Sequence, residues 1–348
     1  MPIESTLPLR NWGSFVSRPD GLALKVVRDG QALLIGPPGD ARLSRWALRA
    51  QGEALWLEAE DLQAAPPGDT HWLAALEAAF MHHPGHAHVQ LGSTLPWPVP
   101  LLRSGTIVPG GEGRASVARE ALWQIPRLWH ALSADSCPLQ YTLTQGRRHP
   151  RRAPKPSGTV YQRHIPWLDQ TLSLRTIDIA QDLPLFHRWM NDPEVSRFWE
   201  EEGDLAKHRA YLEAIQADPR VTGLIGCFDG EPFGYFEVYW AKEDRIAPYY
   251  DVADFDRGWH ALVGEARFRG KPFLTAWMPS ISHHLFLDDC RTQRIVIEPR
   301  IDNQKMIHSL GRCGYAHLKA FDFPHKRAML GMLLRERFFN EALWIPQP

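Results

Sequence analysis

A basic loop with one glycine, Arg267-Phe268-Arg269-Gly270-Lys271-Pro272, has the composition of an anion-binding turn. The apolar run before it, residues 259–263, is typical of a strand, and the amphipathic run after it, residues 272–287, is typical of a helix. Gly270 permits backbone angles that other residues avoid, and Pro272 suits the first helical turn. Because the first amides of a helix are unpaired and the helix dipole favours negative charge, we expect this loop to bind an anion.

His260 interrupts the apolar run 259–263 and is the leading candidate for a general base. Imidazole titrates near neutral pH and can accept a proton from a reacting group. A lone histidine in an apolar strand is also commonly a hydrogen-bonded core residue, so both interpretations stay open. The chain has no Gly-x-Ser-x-Gly motif, and Cys290 has no evident activating partner. We therefore expect direct transfer rather than a covalent enzyme intermediate.

Composition and charge describe a globular protein. The 348 residues are 44% hydrophobic and 23% charged, with a formal net charge of −1, which argues against a nucleic-acid partner. The N-terminal stretch does not resemble a signal peptide, and no run approaches the ~18 apolar residues of a membrane span, so we expect a cytoplasmic protein with no membrane partner.

Four well-separated cysteines argue against a zinc site or a disulfide framework. The cluster His82-His83-Pro84-Gly85-His86-Ala87-His88 lacks a nearby carboxylate or cysteine of suitable spacing, so no metal site is predicted.

The length and the local composition favour two units. Residues 1–145 are predicted to form an α/β unit of unknown role. It has a hairpin around Asp29-Gly30, a strand at 54–59, a helix at 70–81 and a second helix over 114–132 that is kinked at Pro126. Residues 146–160, rich in proline and arginine, are predicted to be a linker.

Residues 161–348 are predicted to form the second unit. After a first strand-like run, the order is a strand, two helices, three strands, a helix, a strand, a helix and two strands. Glycine and proline punctuation and hydrophobic periodicity set these bounds. The predicted strands cover 159–163, 171–175, 221–228, 232–240, 258–263, 294–298, 316–323 and 327–334, and the predicted helices 182–191, 204–217, 272–287 and 303–312.

Several motifs of the second unit, quoted below in chain order, resemble those of the GCN5-related N-acetyltransferase (GNAT) superfamily and, within it, of the acyltransferases of siderophore biosynthesis. This group contains aerobactin-type N6-hydroxylysine acetyltransferases and mycobactin lysine acyltransferases. The basic loop resembles the family's Arg-x-x-Gly-x-Gly/Ala element, with Pro272 at the usual Gly/Ala position. The other motifs are His187-Arg188-Trp189-Met190-Asn191-Asp192-Pro193-Glu194-Val195, Phe198-Trp199, Gly234-Tyr235-Phe236-Glu237-Val238-Tyr239-Trp240, Asp244-Arg245-Ile246, Trp259-His260 and Arg294-Ile295-Val296-Ile297-Glu298-Pro299.

The resemblance implies an α/β fold of the α+β kind. Its mixed central sheet would be splayed between the fourth and fifth strands, residues 258–263 and 294–298, with the thioester in the gap. The first unit could be a degenerate copy of the same fold.

The resemblance also implies functional residues, and Glu298 stands where the mycobactin-type relatives have aspartate. Glu298 could equally be a strand-end carboxylate, Glu237 a solvent-facing strand residue, and Asn303 a helix cap. The implied residues are the catalytic pair His260 and Glu298; Arg267, Phe268, Arg269, Gly270, Lys271 and Asn303 for the cofactor; and Asn191, Trp199, Glu237 and Tyr239 for the acceptor.

The implied reaction is transfer of an acyl group from acetyl-coenzyme A, or another acyl-coenzyme A, to the side-chain nitrogen of N-hydroxylysine, N-hydroxyornithine or an N-hydroxylated diamine. The product would be a siderophore hydroxamate. Coenzyme A is then a co-substrate, no permanently bound cofactor is expected, and a homodimer is a possible assembly. The alternatives are an unhydroxylated amine acceptor, a longer acyl donor, or an inactive binding module of a siderophore assembly system.

Overall fold

The computed structural model describes residues 13–40, 42–60, 68–92, 96–130 and 138–346. They fall into two compact units. The first contains the described residues before Ser133 together with Gln162–Gln170, and the second contains those within Ala134–Tyr161 and Thr171–Gln347. In these described ranges no helix combines the length and apolar character needed to cross a membrane.

The first unit is built on an eight-stranded sheet. The predicted hairpin is present, and Gly30 in its turn has φ +59°, a conformation that glycine adopts without strain. The strands are β1 (Ser14–Ser17), β2 (Leu24–Asp29), β3 (Ala32–Gly36), β4 (Ser44–Gln51), β5 (Ala54–Ala59), β6 (His88–Leu91), β7 (Ile107–Pro109) and β8 (Ala115–Ala118).

The helices of this unit include the predicted one at 70–81, which runs from Asp69 to His82 and buries Trp72, Leu73 and Leu76. The prediction of a kinked helix over 114–132 is wrong for the described residues. Its first part is strand β8, which pairs with β6, and only two single-turn helices follow it. The helices are α1 (Asp69–His82), α2 (Val99–Arg103), α3 (Arg119–Leu122) and α4 (Pro126–Trp129).

A second eight-stranded sheet, built mainly from residues of the second unit, and a separate two-stranded hairpin follow. The predicted strands and helices are all present within a few residues of their expected bounds. The strands are β9 (Tyr141–Thr144), β10 (Arg147–Pro150), β11 (Thr159–Ile165), β12 (Gln170–Thr176), β13 (Val221–Phe228), β14 (Glu231–Trp240), β15 (Arg257–Val263), β16 (Arg294–Ile297), β17 (Ala316–Asp322) and β18 (Arg327–Leu334). The helices are α5 (Ile179–Met190), α6 (Pro193–Trp199), α7 (Leu205–Ala217), α8 (Lys271–Asp288), α9 (Gln304–Arg312) and α10 (Arg335–Asn340).

The segment predicted as a linker has local structure. Strand β10 pairs with β9, His149 is buried and contacts Thr144 at 2.9 Å, and Arg152 forms two hydrogen bonds of 2.6 Å with Glu243. Charged side chains with buried partners therefore order a stretch that composition alone marks as loop. The division of the chain at residues 145 and 160 stays a prediction.

The two large sheets have the same strand order. The first is β1-β2-β3-β4-β5-β6-β8-β7 and the second is β11-β12-β13-β14-β15-β16-β18-β17. In each, the fifth and sixth strands are parallel and are joined through a helix, α1 or α8. The other described pairings are antiparallel. This shared topology supports the expectation that the first unit is a copy of the second unit's fold. The copy has no helices between β2 and β3, where the second sheet has α5, α6 and α7 between β12 and β13.

The second sheet separates between β15 and β16. Their pairing is limited to Arg257 with Ile295 and Gly258 with Val296, although β15 continues to Val263. Pro299 soon after β16 has no amide hydrogen to extend the ladder. The predicted opening between the fourth and fifth core strands therefore begins at Gly258.

Candidate active site

His260 and Glu237 lie directly opposite each other on the antiparallel strands β15 and β14. Side chains in such a pair stand on the same face of the sheet, a few ångströms apart. The His260 Nδ1 atom is 3.1 Å from Glu237 Oε2. Strand register alone thus places a carboxylate against the candidate catalytic histidine.

Glu298 contacts the other nitrogen of the same ring. Gly258 and Val296 are the last paired residues of β15 and β16, and His260 and Glu298 each come two residues later. Their side chains therefore continue the same register. His260 Nε2 and Glu298 Oε1 are 2.8 Å apart. The side chains therefore meet where the backbones have stopped pairing.

Three tyrosine hydroxyls hold the two carboxylates. Tyr239 donates to Glu298 Oε2 at 2.8 Å, Tyr235 donates to Glu237 Oε1 at 3.2 Å, and Tyr211 donates to the same Glu237 oxygen. The Glu298 side chain has no exposed surface, whereas that of His260 is 26% exposed. His260 is thus accessible to a substrate, whereas Glu298 is not.

The carboxylates keep His260 protonated. Burial by itself lowers the pKa of His260, but the charges and hydrogen bonds of Glu298 and Glu237 outweigh it and raise the pKa to about 9. Burial by itself would raise the pKa of Glu298. The positive charges of His260, Lys326 and Arg245 outweigh this effect and hold the pKa of Glu298 well below its usual range. A carboxylate can only accept hydrogen bonds, so both ring nitrogens of His260 act as donors and the ring is an imidazolium.

The tyrosines stay protonated. Burial, followed by the nearby Glu298 charge, raises the pKa of Tyr239, and burial with Glu237 does the same for Tyr235 and Tyr211. Each hydroxyl is therefore a hydrogen-bond donor at neutral pH.

The predicted acceptor residues divide into two groups. Glu237 and Tyr239 belong to the His260 cluster, and Trp199 is near it, with its ring edge-to-face to His260 at a centroid distance of 6.4 Å. Asn191 is not part of the cluster, because both atoms of its amide bond the backbone of Gly203 at 3.0 Å. Asn191 instead fixes the segment between α6 and α7.

The side chains of the predicted cofactor loop are largely engaged with the protein. Phe268 is buried and stacks on Phe228 at 5.4 Å, so its ring is part of the core. Arg269 bonds Glu194 at 2.6 Å and the Val263 carbonyl at 3.0 Å. Arg267 is exposed and forms an ion pair with Glu231.

The backbone of this loop keeps the features of an anion site. Gly270, with φ +110°, precedes the first residue of α8, Lys271, and no side chain caps the helix start. Helix α8 is 18 residues long, so its first amides carry the full helix dipole. Asn303 lies elsewhere and caps α9, where its side chain accepts a hydrogen bond from the Met306 amide.

Four contributors to the cluster were not predicted. Tyr235 was detectable, since it stands two residues before Glu237 on the same strand face. Arg245 lies in the quoted motif Asp244-Arg245-Ile246, to which no site role was assigned. Tyr211 and Lys326 come from a helix and a loop far apart in sequence, and no local pattern marks them. Arg245 Nη2 is 3.5 Å and Lys326 Nζ 3.8 Å from Glu298 Oε1.

Known proteins resemble the chain in sequence and in fold. Residues 178–323 match the family described as Acetyltransferase (GNAT) domain. A Schizosaccharomyces pombe protein with the provisional name lysine N-acyltransferase is 48% identical over 230 residues, 66% of this chain and 69% of that protein. The N(6)-hydroxylysine O-acetyltransferase of Escherichia coli is 40% identical over 282 residues, 79% of this chain and 88% of that protein.

Among solved structures, an uncharacterized protein of Bacillus halodurans superposes with a TM-score of 0.51 at 29% identity, covering 54% of this chain and 94% of its own. The predicted GNAT fold, the resemblance to siderophore-biosynthesis acyltransferases and the prediction of an enzyme are confirmed by these matches. The chain belongs to the GNAT acetyltransferase family and is an acyltransferase.

Proposed function

We propose that the protein transfers an acyl group from acyl-coenzyme A, with acetyl-coenzyme A as the first donor to test, to a hydroxylated side-chain nitrogen of lysine, ornithine or a related diamine. The product is a hydroxamate for siderophore biosynthesis. The observation that carries the choice of acceptor is the contact of both His260 ring nitrogens with carboxylates, Nδ1 with Glu237 and Nε2 with Glu298, which favours the protonated ring.

A protonated histidine suits a nucleophile that arrives neutral. The side-chain amine of lysine has a pKa of about 10.4, so an enzyme that acylates it must first remove a proton. A hydroxylamine is much less basic, because the adjacent oxygen withdraws electron density from the nitrogen. Such an acceptor can attack the thioester without prior help from a base.

The imidazolium then serves the later steps. Its positive charge stabilises the negative oxygen of the tetrahedral adduct, and it can give a proton to the departing thiolate of coenzyme A. The pKa of His260, about 9, is close to the value of about 8.5 for an ordinary thiol, so this transfer is nearly balanced. The adduct nitrogen loses its proton to the neutral imidazole, which restores the starting state. His260 thus acts as donor first and acceptor second.

The donor is expected at the start of α8. The pyrophosphate of coenzyme A would bind the amides that follow Gly270, and the thioester would reach His260 through the opening between β15 and β16. Coenzyme A is a substrate in this proposal, and the transfer takes place in a ternary complex.

The names of the relatives leave two chemical alternatives to test. The Schizosaccharomyces pombe name specifies lysine and nitrogen, and the Escherichia coli name specifies hydroxylysine and oxygen. Nitrogen acylation of a hydroxylamine gives a hydroxamate, which forms a coloured complex with ferric iron, whereas oxygen acylation does not. Absorbance therefore distinguishes the nitrogen-acylated from the oxygen-acylated product, which have the same mass, and mass distinguishes both from the product of an unhydroxylated amine.

The test compares turnover with acetyl-coenzyme A on N6-hydroxylysine, N5-hydroxyornithine, N-hydroxycadaverine and their unhydroxylated parents near neutral pH. We expect hydroxamate product, and a preference for the hydroxylated acceptors of about tenfold or more, because only they are neutral at that pH. His260→Gln should abolish most turnover, and His308→Gln, at an exposed position on α9, is the matched control. A preference for the plain amines would replace the hydroxamate proposal with lysine acylation.

A further inference from the structure

Arg245 lies beside the His260 cluster with much of its hydrogen-bonding capacity unused. It follows β14 in the chain, its side chain is 49% exposed, and its guanidinium stands 5.4 Å over the Phe323 ring. Among the described residues its nearest carboxylate is that of Glu298, at 3.5 Å, which is too long for the two-pronged hydrogen bond that arginine forms with a carboxylate.

Glu298 cannot come closer to Arg245, because its oxygens are already occupied. Oε1 accepts from His260 and Oε2 accepts from Tyr239, both at 2.8 Å. Its backbone carbonyl accepts from Lys326, also at 2.8 Å. An arginine side chain has five N–H donors, so the contact with Glu298 satisfies little of it.

Neighbouring carboxylates are paired with other arginines. Asp244, next to Arg245 in the chain, bonds Arg220 at 2.6 Å, and Glu200 pairs with Arg300. Lys326 adds a second cation, with Nζ 5.5 Å from the same Phe323 ring. The two cations on Phe323 therefore form a positively charged site next to the residue that faces the substrate.

We propose that Arg245, with Lys326 beside it, binds a carboxylate group carried by one of the two substrates. This inference rests on the proposed acyl transfer and adds to it a determinant of substrate choice. A planar guanidinium binds a carboxylate through two parallel hydrogen bonds, which fixes orientation as well as adding affinity. The carboxylate is either the α-carboxylate of an amino-acid acceptor or the distal carboxylate of a dicarboxylic acyl donor. A hydroxylated diamine with an acetyl donor supplies neither.

The test compares ligands that carry the carboxylate with ligands that lack it. N6-hydroxylysine and N-hydroxycadaverine form the acceptor pair, and succinyl- and acetyl-coenzyme A the donor comparison. Binding of each to the full chain is measured by calorimetry in the unsubstituted protein, in Arg245→Gln and in Arg245→Lys. The matched control is Arg327→Gln, which removes a 61% exposed arginine whose carboxylate partner, Asp322, is 3.8 Å away.

If the acceptor supplies the carboxylate, Arg245→Gln weakens binding of N6-hydroxylysine by about tenfold or more and leaves N-hydroxycadaverine unchanged, with partial recovery in Arg245→Lys. If the donor supplies it, the same loss appears for succinyl- but not acetyl-coenzyme A. Equal affinities in Arg245→Gln and Arg327→Gln for all four ligands would overturn the inference. Absence of turnover in the unsubstituted protein would refute the proposed function, and the binding comparison would still decide the role of Arg245.

Discussion

His260 Nε2 and Glu298 Oε1 lie 2.8 Å apart across the point where β15 and β16 cease to pair. This contact joins the two walls of the opening through side chains alone. It also fixes the charge of His260, because Glu298 and Glu237 together raise the pKa of the imidazole to about 9. The protonation state of the histidine is therefore the property most open to experiment.

The first prediction concerns the dependence of turnover on pH. If the imidazolium is the active form, kcat on a hydroxylated acceptor should be highest below pH 9 and fall as the pH rises through about 9. If His260 instead had to be neutral to act as a base, kcat would rise through the same range. A profile of kcat from pH 6 to 10, with donor and acceptor saturating, distinguishes the two, and a rising limb would contradict the proposed order of proton transfers.

Thermal unfolding over the same pH range provides the control. The folded-state pKa of His260 is raised above its ordinary 6.5, so the stabilisation by the ion pairs is complete below pH 6.5 and lost as the pH rises through about 9. Some loss of melting temperature is therefore expected with the loss of kcat. The assay temperature must stay below the melting temperature throughout, so that the basic limb reports ionisation and not unfolding.

The second prediction concerns Glu298. Glu298→Gln removes the larger of the two charges that raise the pKa of His260, so the basic limb of the kcat profile should move to lower pH and kcat should fall. Glu298→Asp keeps the charge with a side chain one methylene shorter, and should retain more activity with a smaller displacement of the limb. An unchanged pH profile in Glu298→Gln would show that Glu298 does not set the ionisation of His260.

The third prediction concerns the packing of Tyr239 against Gly258. These residues are opposite each other on β14 and β15, and a Cβ atom at Gly258 would lie 2.2 Å from the Tyr239 ring. Gly258→Ala should therefore displace the ring, break its hydrogen bond to Glu298 and lower both kcat and stability, the latter by about 1–3 kcal/mol.

Tyr239→Phe is the comparison variant, since it removes the hydroxyl and keeps the ring. It should cost about 1.5–3 kcal/mol of stability, the usual loss for a hydrogen bond to a charged group, and give a smaller loss of kcat than Gly258→Ala. If Gly258→Ala melts and turns over like the unsubstituted protein, the ring is free to move and the close packing has no functional role.

Much of the second unit could be predicted from the sequence because local and tertiary preferences agree there. Strand β13 was predicted with the bounds that the structure has, and the buried face of α5, with Phe186, Trp189 and Met190, follows its periodicity. Alternation along β14 puts Glu237 and Tyr239 on one face, a relationship that the sequence already contains.

Other features depend on partners distant in the chain. The region 114–132 was misassigned because pairing with β6 makes a strand of residues 115–118, which have no distinctive periodicity of their own. The charge of His260 also could not be predicted from the sequence, since it depends on Glu298, 38 residues away, and on buried tyrosines that hold both carboxylates. Residue type marks His260 as titratable, but only its surroundings determine its pKa.

The last prediction concerns the anion loop and compares two glycines with positive φ, only one of which precedes α8. Gly270 and Gly230 both have positive φ, +110° and +82°, and a Cβ atom would meet nothing within 4 Å at either site. Valine at either position should therefore strain the backbone without a clash, at a cost of about 1–2 kcal/mol in stability. Only Gly270 precedes α8, whose first amides are the proposed pyrophosphate site. Gly270→Val should weaken coenzyme A binding in calorimetry by about tenfold or more, the loss expected for one charge-assisted hydrogen bond, while Gly230→Val keeps its affinity. Because both variants place a β-branched residue at a positive-φ glycine, equal affinities in both would mean that coenzyme A is not held at the start of α8.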